Sequence, residues 1–203
     1  MSVIISSFIP FPNIAWWQAA VKANTVIFDS AEHFEKMSYR NKYHITGANG
    51  TITLSIPLVK GREQRSPMKD VLISNTERWQ VQHWRTLVSV YKRSPYFDHY
   101  EPSLQRLFDT SFTHLSAYNL ATIHWLKEQL GLKFEEQYAD EYKKQYESST
   151  DLRSMKPADR NIQETPKYYQ LFEERNGFMP NLSMLDLLFS EGPASIALLR
   201  GNF

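Results

Sequence analysis

Apolar positions run in short, strand-length groups up to about residue 73 and at helical spacing from about residue 77 onward. Residues 3–5 are an apolar run ended by Ser6, Ser7 and the turn-prone Pro10-Phe11-Pro12-Asn13, which predicts a short buried strand. Asn13 stands where an N-cap belongs for a helix over 14–23. Residues 25–28 predict a second strand, with Asp29 at its carboxyl end. Strand, helix, strand opens a parallel α/β unit. Its ligand side would lie beyond the strand ends, near Ser6, Ser7 and Asp29.

Residues 43–46 and 52–56 flank Asn49-Gly50, a dipeptide that favours a tight reversal, so they predict a hairpin joined with the early strands in one sheet. Residues 61–69 carry Arg62, Glu63 and Arg65 and read as a mobile or functional loop; 71–73 read as a further strand. Val81, Trp84, Val88 and Tyr91 then repeat at spacings of three and four, predicting a helix over 77–91 with that stripe inward. Ser74 and Glu77 have capping-box spacing ahead of it, and Pro95 closes it. A shorter helix is expected over 103–110 and a stronger one over 115–130, ended by Gly131.

Residues 137–166 are polar and contain two prolines, which predicts a lid or crossing loop. Apolar signal returns at 168–172 and 182–189. There is no internal repeat. The expected fold is α/β: one domain spanning 1–203, a mixed sheet with an amino-terminal strand–helix–strand unit, and a helical second half.

With 23 Lys and Arg against 22 Asp and Glu, the formal charge is +1, which gives no long-range steering toward nucleic acid or anionic lipid and argues against a nucleic-acid-coating protein. There is no cysteine, so disulfides, thiolate chemistry and Cys-ligated metal centres are excluded. No run of about 18 apolar residues is long enough to span a membrane. The apolar start lacks a basic leader, so the expected location is cytoplasmic. The 11 Tyr, 12 Phe and 5 Trp suit a core, a pocket for a sugar or base, or a protein interface.

Lys36, Arg40 and Lys42 set three cations within seven residues. They read either as a site for a phosphate, diphosphate or carboxylate or as a solvated basic edge. His83 flanks the predicted stripe. It is either a proton-transfer group or a hydrogen-bonded histidine at the margin of the core. Asp29 either contacts a ligand hydroxyl or assists His83, or it serves structure by capping a turn or holding a salt bridge. Asn119, on the apolar face of its helix, reads as a structural clamp. Ser183 and Asp186 have the spacing of a capping box. His33, His44, His83, His99, His114 and His124 form no recognised zinc spacing. Neither a Walker A loop nor a dinucleotide glycine signature is present, and no cofactor is indicated.

Four segments carry a family resemblance: SFIPFPNIAWWQAAVKANTVIFD, HFEKMSYRNKYHI with its ANG turn, WQVQHWRTLVSVYKRSPYFDHY and GFMPNLSMLDLLFSEGP. In their order and spacing they resemble the WbqC-like family. The resemblance assigns Lys36, Ser38, Tyr39 and Asn41 to the family's K-x-S-Y-x-N-R-like stretch, with Lys42 where arginine is common. His83 and Trp84 match its later helix. Ser6 and Ser7 stand where the wider family often has His-Gln, so no role of that histidine transfers here.

Some family members occur in settings linked to bacterial surface-polysaccharide synthesis. The resemblance therefore implies a transferase acting on a nucleotide-linked or amino sugar. Lys36, Tyr39, Arg40, Asn41 and Lys42 would hold a small anionic or sugar-containing ligand, and His83 and Asp29 would be catalytic. The alternative is a noncatalytic binding or scaffold protein, with a protein partner in a biosynthetic assembly.

Overall fold

The computed structural model describes residues 2–156 and 165–201. β1 (Val3–Ser6), α1 (Ile14–Ala20) and β2 (Thr25–Asp29) form the expected unit, with β1 and β2 parallel and Ser6 level with Phe28. Ile4, Ile5, Val26 and Phe28 are buried, as the core strands of a parallel sheet must be. Asn13 caps α1, its side chain accepting the Trp16 amide at 3.0 Å. Trp16 and Trp17 are both buried, and the Trp16 indole donates to Ser6 Oγ at 2.8 Å, fixing the helix to the end of β1.

β5 (Glu135–Ala139) extends the sheet beside β2, and the two-residue β6 (Thr150–Asp151) adds to the other side of β1. The order is β5-β2-β1-β6, with every pairing parallel. The hairpin forms as expected from β3 (Lys42–Ile45) and β4 (Ile52–Ser55), with Gly50 at φ 105°. It stands, however, as its own two-stranded antiparallel sheet rather than within the parallel one. Residues 71–73 form no regular strand; Leu72 and Ile73 make only isolated bridges, to His114 and Leu58.

The second half is helical. α2 (Trp79–Tyr91) buries Trp79, His83, Leu87 and Tyr91, while Val81 is 40% exposed and Trp84 and Val88 are half-buried. The inward face is thus turned from the predicted stripe onto the four-residue series that includes His83. The predicted cap is absent: Arg78 occupies the N-cap position without a side-chain hydrogen bond, and Ser74 Oγ contacts Thr76 Oγ1 instead.

α3 (Phe97–Asp109) begins six residues before the expected 103–110. Pro102 removes one amide donor from it, and the buried series Phe97, Tyr100, Leu104 and Phe108 outweighs that loss. α4 (Leu115–Gln129) matches its prediction, with Gly131 in the left-handed region at φ 61°. α5 (Glu173–Asn176), α6 (Met184–Glu191) and α7 (Ser195–Arg200) complete the described α-helices. The expected lid over 137–166 includes 157–164, which lie outside the described residues; its described part holds the end of β5, all of β6 and Arg153.

Two of the helical polar residues are ties between elements. Asn119 in α4 donates at 2.8 Å to both Phe8 O and Arg40 O, the clamp expected from its position. Ser183 caps α6 through the Leu185 amide. Asp186 does not reach back to close a capping box. Its carboxylate accepts the hydroxyls of Tyr91 at 2.6 Å and Tyr168 at 2.7 Å, joining α6 to α2 and to the chain before α5.

Candidate functional site

β2 lies on one side of β1, and β6, reached later from β5, is added on the other, so the strand order reverses at β1. Such a switch point opens a crevice in a parallel sheet. A cavity of about 640 Å³ lies here, lined by residues just after β2 (Glu32, His33, Glu35) and around β6 (Asp151, Arg153), together with Arg40, Arg65, Tyr142 and Lys144. Asp29 shapes the first group. Its Oδ1 accepts the amides of Ala31 at 3.1 Å and Glu32 at 2.9 Å, turning the chain so that Glu32 and His33 face the cavity.

The wall is a network of buried ion pairs. Arg153 Nη1 donates to Asp29 Oδ2 at 2.6 Å and to Lys143 O at 2.8 Å. Its Nη2 donates to Asp151 Oδ2 at 2.6 Å and to Lys144 O at 3.3 Å, and its Nε donates to Asp151. All five guanidinium hydrogens are thereby committed. The rings of Tyr142 and Tyr146 lie 5.3 and 5.2 Å from the guanidinium carbon. Asp151 first, and Asp29 after it, raise the Arg153 pKa and hold the group charged.

Arg40 forks onto Glu32, with Nε to Oε1 at 3.2 Å and Nη2 to Oε2 at 2.7 Å. Burial raises the Glu32 pKa against the opposing pull of Arg40. The Arg40 fork is therefore filled from within the protein, which leaves it little capacity to grip a ligand.

The sequence-predicted residues separate into three places. Arg40 lines the inner cavity together with Arg153, the partner of Asp29. Lys36 lies in an adjoining outer cavity of about 510 Å³ and pairs with Glu63 at 2.7 Å. Tyr39, Asn41, Lys42 and His83 line neither cavity. Tyr39 packs edge-on against His44, Asn41 donates to Ile56 O at 3.0 Å, and Lys42 opens β3.

His83 is 4% exposed. It lies between Tyr43 Oη at Nδ1 and Ser55 O at Nε2, each at 3.2 Å. Burial lowers its pKa to about 4, so it stays neutral at physiological pH. The structure does not bring His83 and Arg40 together in either cavity.

Sequence reasoning missed His33, Tyr142, Lys144 and Arg153 as neighbours. A signal for His33 existed: it follows the predicted strand end at Asp29 and sits between Glu32 and Glu35. Arg153 carries none, because its partner Asp29 is 124 residues away in the chain. Among the described residues, no group of three His, Asp or Glu side chains is arranged to hold a metal ion, and no helix is long and apolar enough to cross a membrane.

The model of the WbqC-like protein family matches residues 7–165, and the chain belongs to that family. No curated protein and no solved structure matches the chain.

Proposed function

We propose that this WbqC-like protein is a transferase acting on a nucleotide-linked or amino sugar in bacterial surface-polysaccharide synthesis, with the inner cavity as its sugar site. The observation that carries this reading is a cavity of about 640 Å³ whose walls bear both signs of charge beside an exposed tyrosine ring. Lys144 and Arg65 suit an anion, and Tyr142, 57% exposed, offers an aromatic face to a sugar ring. Its volume falls in the range of small-molecule sites.

In this reading His33 takes the proton of an attacking amine or hydroxyl, since it lines the cavity and its imidazole can accept a proton on a ring nitrogen. Asp29 and Arg153 are positioning residues: they hold the turn that presents His33 and the segment that presents Tyr142. Arg40 acts through Glu32, and Lys36 belongs to the outer cavity.

An unbiased metabolite-binding screen, followed by turnover assays on the ligands found, tests the proposal. His33→Gln should keep binding and lose turnover. Unimpaired turnover in that variant removes His33 from the mechanism. A screen that returns no sugar or sugar nucleotide rejects the sugar site itself. The alternative, a noncatalytic binding or scaffold protein, draws on one specific observation: His83, the family-matched histidine, is sealed in the core. Sugar binding without turnover of any bound pair would favour it.

A further inference from the structure

The outer cavity has an electrostatic character of its own. It is lined by four cations, Lys36, Arg62, Arg65 and Lys156, and by two carboxylates, Glu35 and Glu63. The cations come from three separate stretches of chain: the turn after β2, the loop after β4 and the segment after β6. Lys36 pairs with Glu63 and Lys156 with Glu35, each at 2.7 Å, while Arg62 stands 4.0 Å from Glu63, already paired to Lys36. Arg65 has no hydrogen-bond or ion-pair partner among the described residues. Four positive groups against two negative ones leave a local surplus of two, in a chain whose total charge is +1.

A neighbouring residue registers that surplus. The Lys42 pKa is lowered, by burial first and by the charge of Arg62 second. A solvated basic edge would spread its charges over a convex surface. Here they converge on a concavity of about 510 Å³ that shares Phe34, Glu35 and Arg65 with the inner cavity. Met37, 72% exposed, adds an apolar side chain to its wall. Ser38 holds Met37 there by closing the turn, donating to Glu35 O and accepting the Arg40 amide.

We infer that the outer cavity is a diphosphate subsite, in which Arg62 and Arg65 bind the pyrophosphate of a nucleotide-linked sugar whose sugar ring enters the inner cavity past Arg65. The assignment of the sugar rests on the reading of the inner cavity given above; the diphosphate subsite does not. A pyrophosphate group carries enough negative charge to balance the surplus, and it offers several acceptor oxygens to two planar forks. Arg65, common to both cavities, sits where the phosphate next to the sugar would lie.

Calorimetric titration of the full chain with inorganic pyrophosphate, UDP and free glucosamine tests this, with thermal unfolding as the folding control. Pyrophosphate and UDP should bind, and more weakly as salt is raised. Arg62→Ala and Arg65→Ala should each weaken both by about tenfold, the loss expected for one charge-assisted contact. Glucosamine affinity should be unchanged in Arg62→Ala. UDP binding more tightly than pyrophosphate would assign the Met37 wall to the nucleoside. Wild-type affinity for pyrophosphate in both variants overturns the subsite, as does failure of the wild-type chain to bind pyrophosphate and UDP. If glucosamine still binds in that case, the sugar reading survives alone. If the anions bind as expected but no sugar or sugar nucleotide does, the diphosphate subsite stands and the sugar reading fails.

Discussion

Tyr43 donates its hydroxyl to His83 Nδ1 across 3.2 Å of the core, and the opposite ring nitrogen fixes that direction. Nε2 of His83 faces the carbonyl of Ser55, which can only accept, so Nε2 carries the hydrogen and Nδ1 is left to accept from Tyr43. The imidazole is thus neutral with both nitrogens satisfied, and a second proton would have nowhere to go. This bonding ties α2 to both strands of the hairpin.

The pH dependence of stability follows. In the unfolded chain His83 titrates near its usual 6.5; in the folded protein it titrates at about 4. A depressed histidine pKa means that the unfolded state binds the proton first, so stability is lost as pH falls from about 6.5 to about 4. At pH 4.5 the loss should be on the order of 2 kcal/mol relative to pH 7.5. Urea unfolding at both pH values should show a smaller loss in His83→Gln than in the wild type. Equal losses would show that His83 does not carry this pH dependence.

The Asp29–Arg153 pair should behave as a buried ion pair. Arg153→Met would strand the Asp29 carboxylate, which is fully buried, at a cost of about 3–5 kcal/mol. Adding Asp29→Asn should recover part of that cost, because the stranded charge is gone. A double-mutant cycle by denaturant unfolding measures the coupling, and strictly additive losses would contradict it.

Ser183 has two partners. It caps α6 through the Leu185 amide and donates to Phe11 O at 3.0 Å. Ser183→Ala should therefore cost about 2 kcal/mol, roughly half from the cap and half from the stranded carbonyl. Thermal unfolding reads the loss directly, and an unchanged midpoint would remove both assignments.

Asp186 should be intolerant of its isostere. Asn offers one acceptor oxygen where the carboxylate offers two, and Tyr91 and Tyr168 use one each. Asp186→Asn should lose about 2 kcal/mol in denaturant unfolding. Wild-type stability would show that one of the two phenol contacts is dispensable.

Features written locally were legible in the sequence. Asn13, Ser183, Gly50 and Gly131 each act within a few residues, so their chemistry announces a cap, a turn or a helix end. The inward face of α2 was misread because a histidine counts as polar in a hydropathy pattern. Tyr43 and Ser55 satisfy its nitrogens, and only those distant partners make its burial affordable. The start of α3 was hidden by Pro102, whose local penalty is visible while the packing of Phe97 and Tyr100 is not. Half of the candidate site was legible: the end of β2 and the charged 61–69 loop were expected to matter. Arg153 was not, since nothing near it in the chain points to Asp29.

The fourth strand of the parallel sheet contributes only Thr150 and Asp151, set beside Ile4 and Ile5. Arg153, rather than an extended ladder, anchors this edge to the end of β2 at Asp29, across β1. The same guanidinium donates to the carbonyls of Lys143 and Lys144, so the polypeptide leading to this edge is fastened to it as well. Tyr142 and Lys144 ride on that stretch and form part of the inner cavity's wall. The short strand edge, the turn after β2 and this stretch of cavity wall therefore all depend on one side chain.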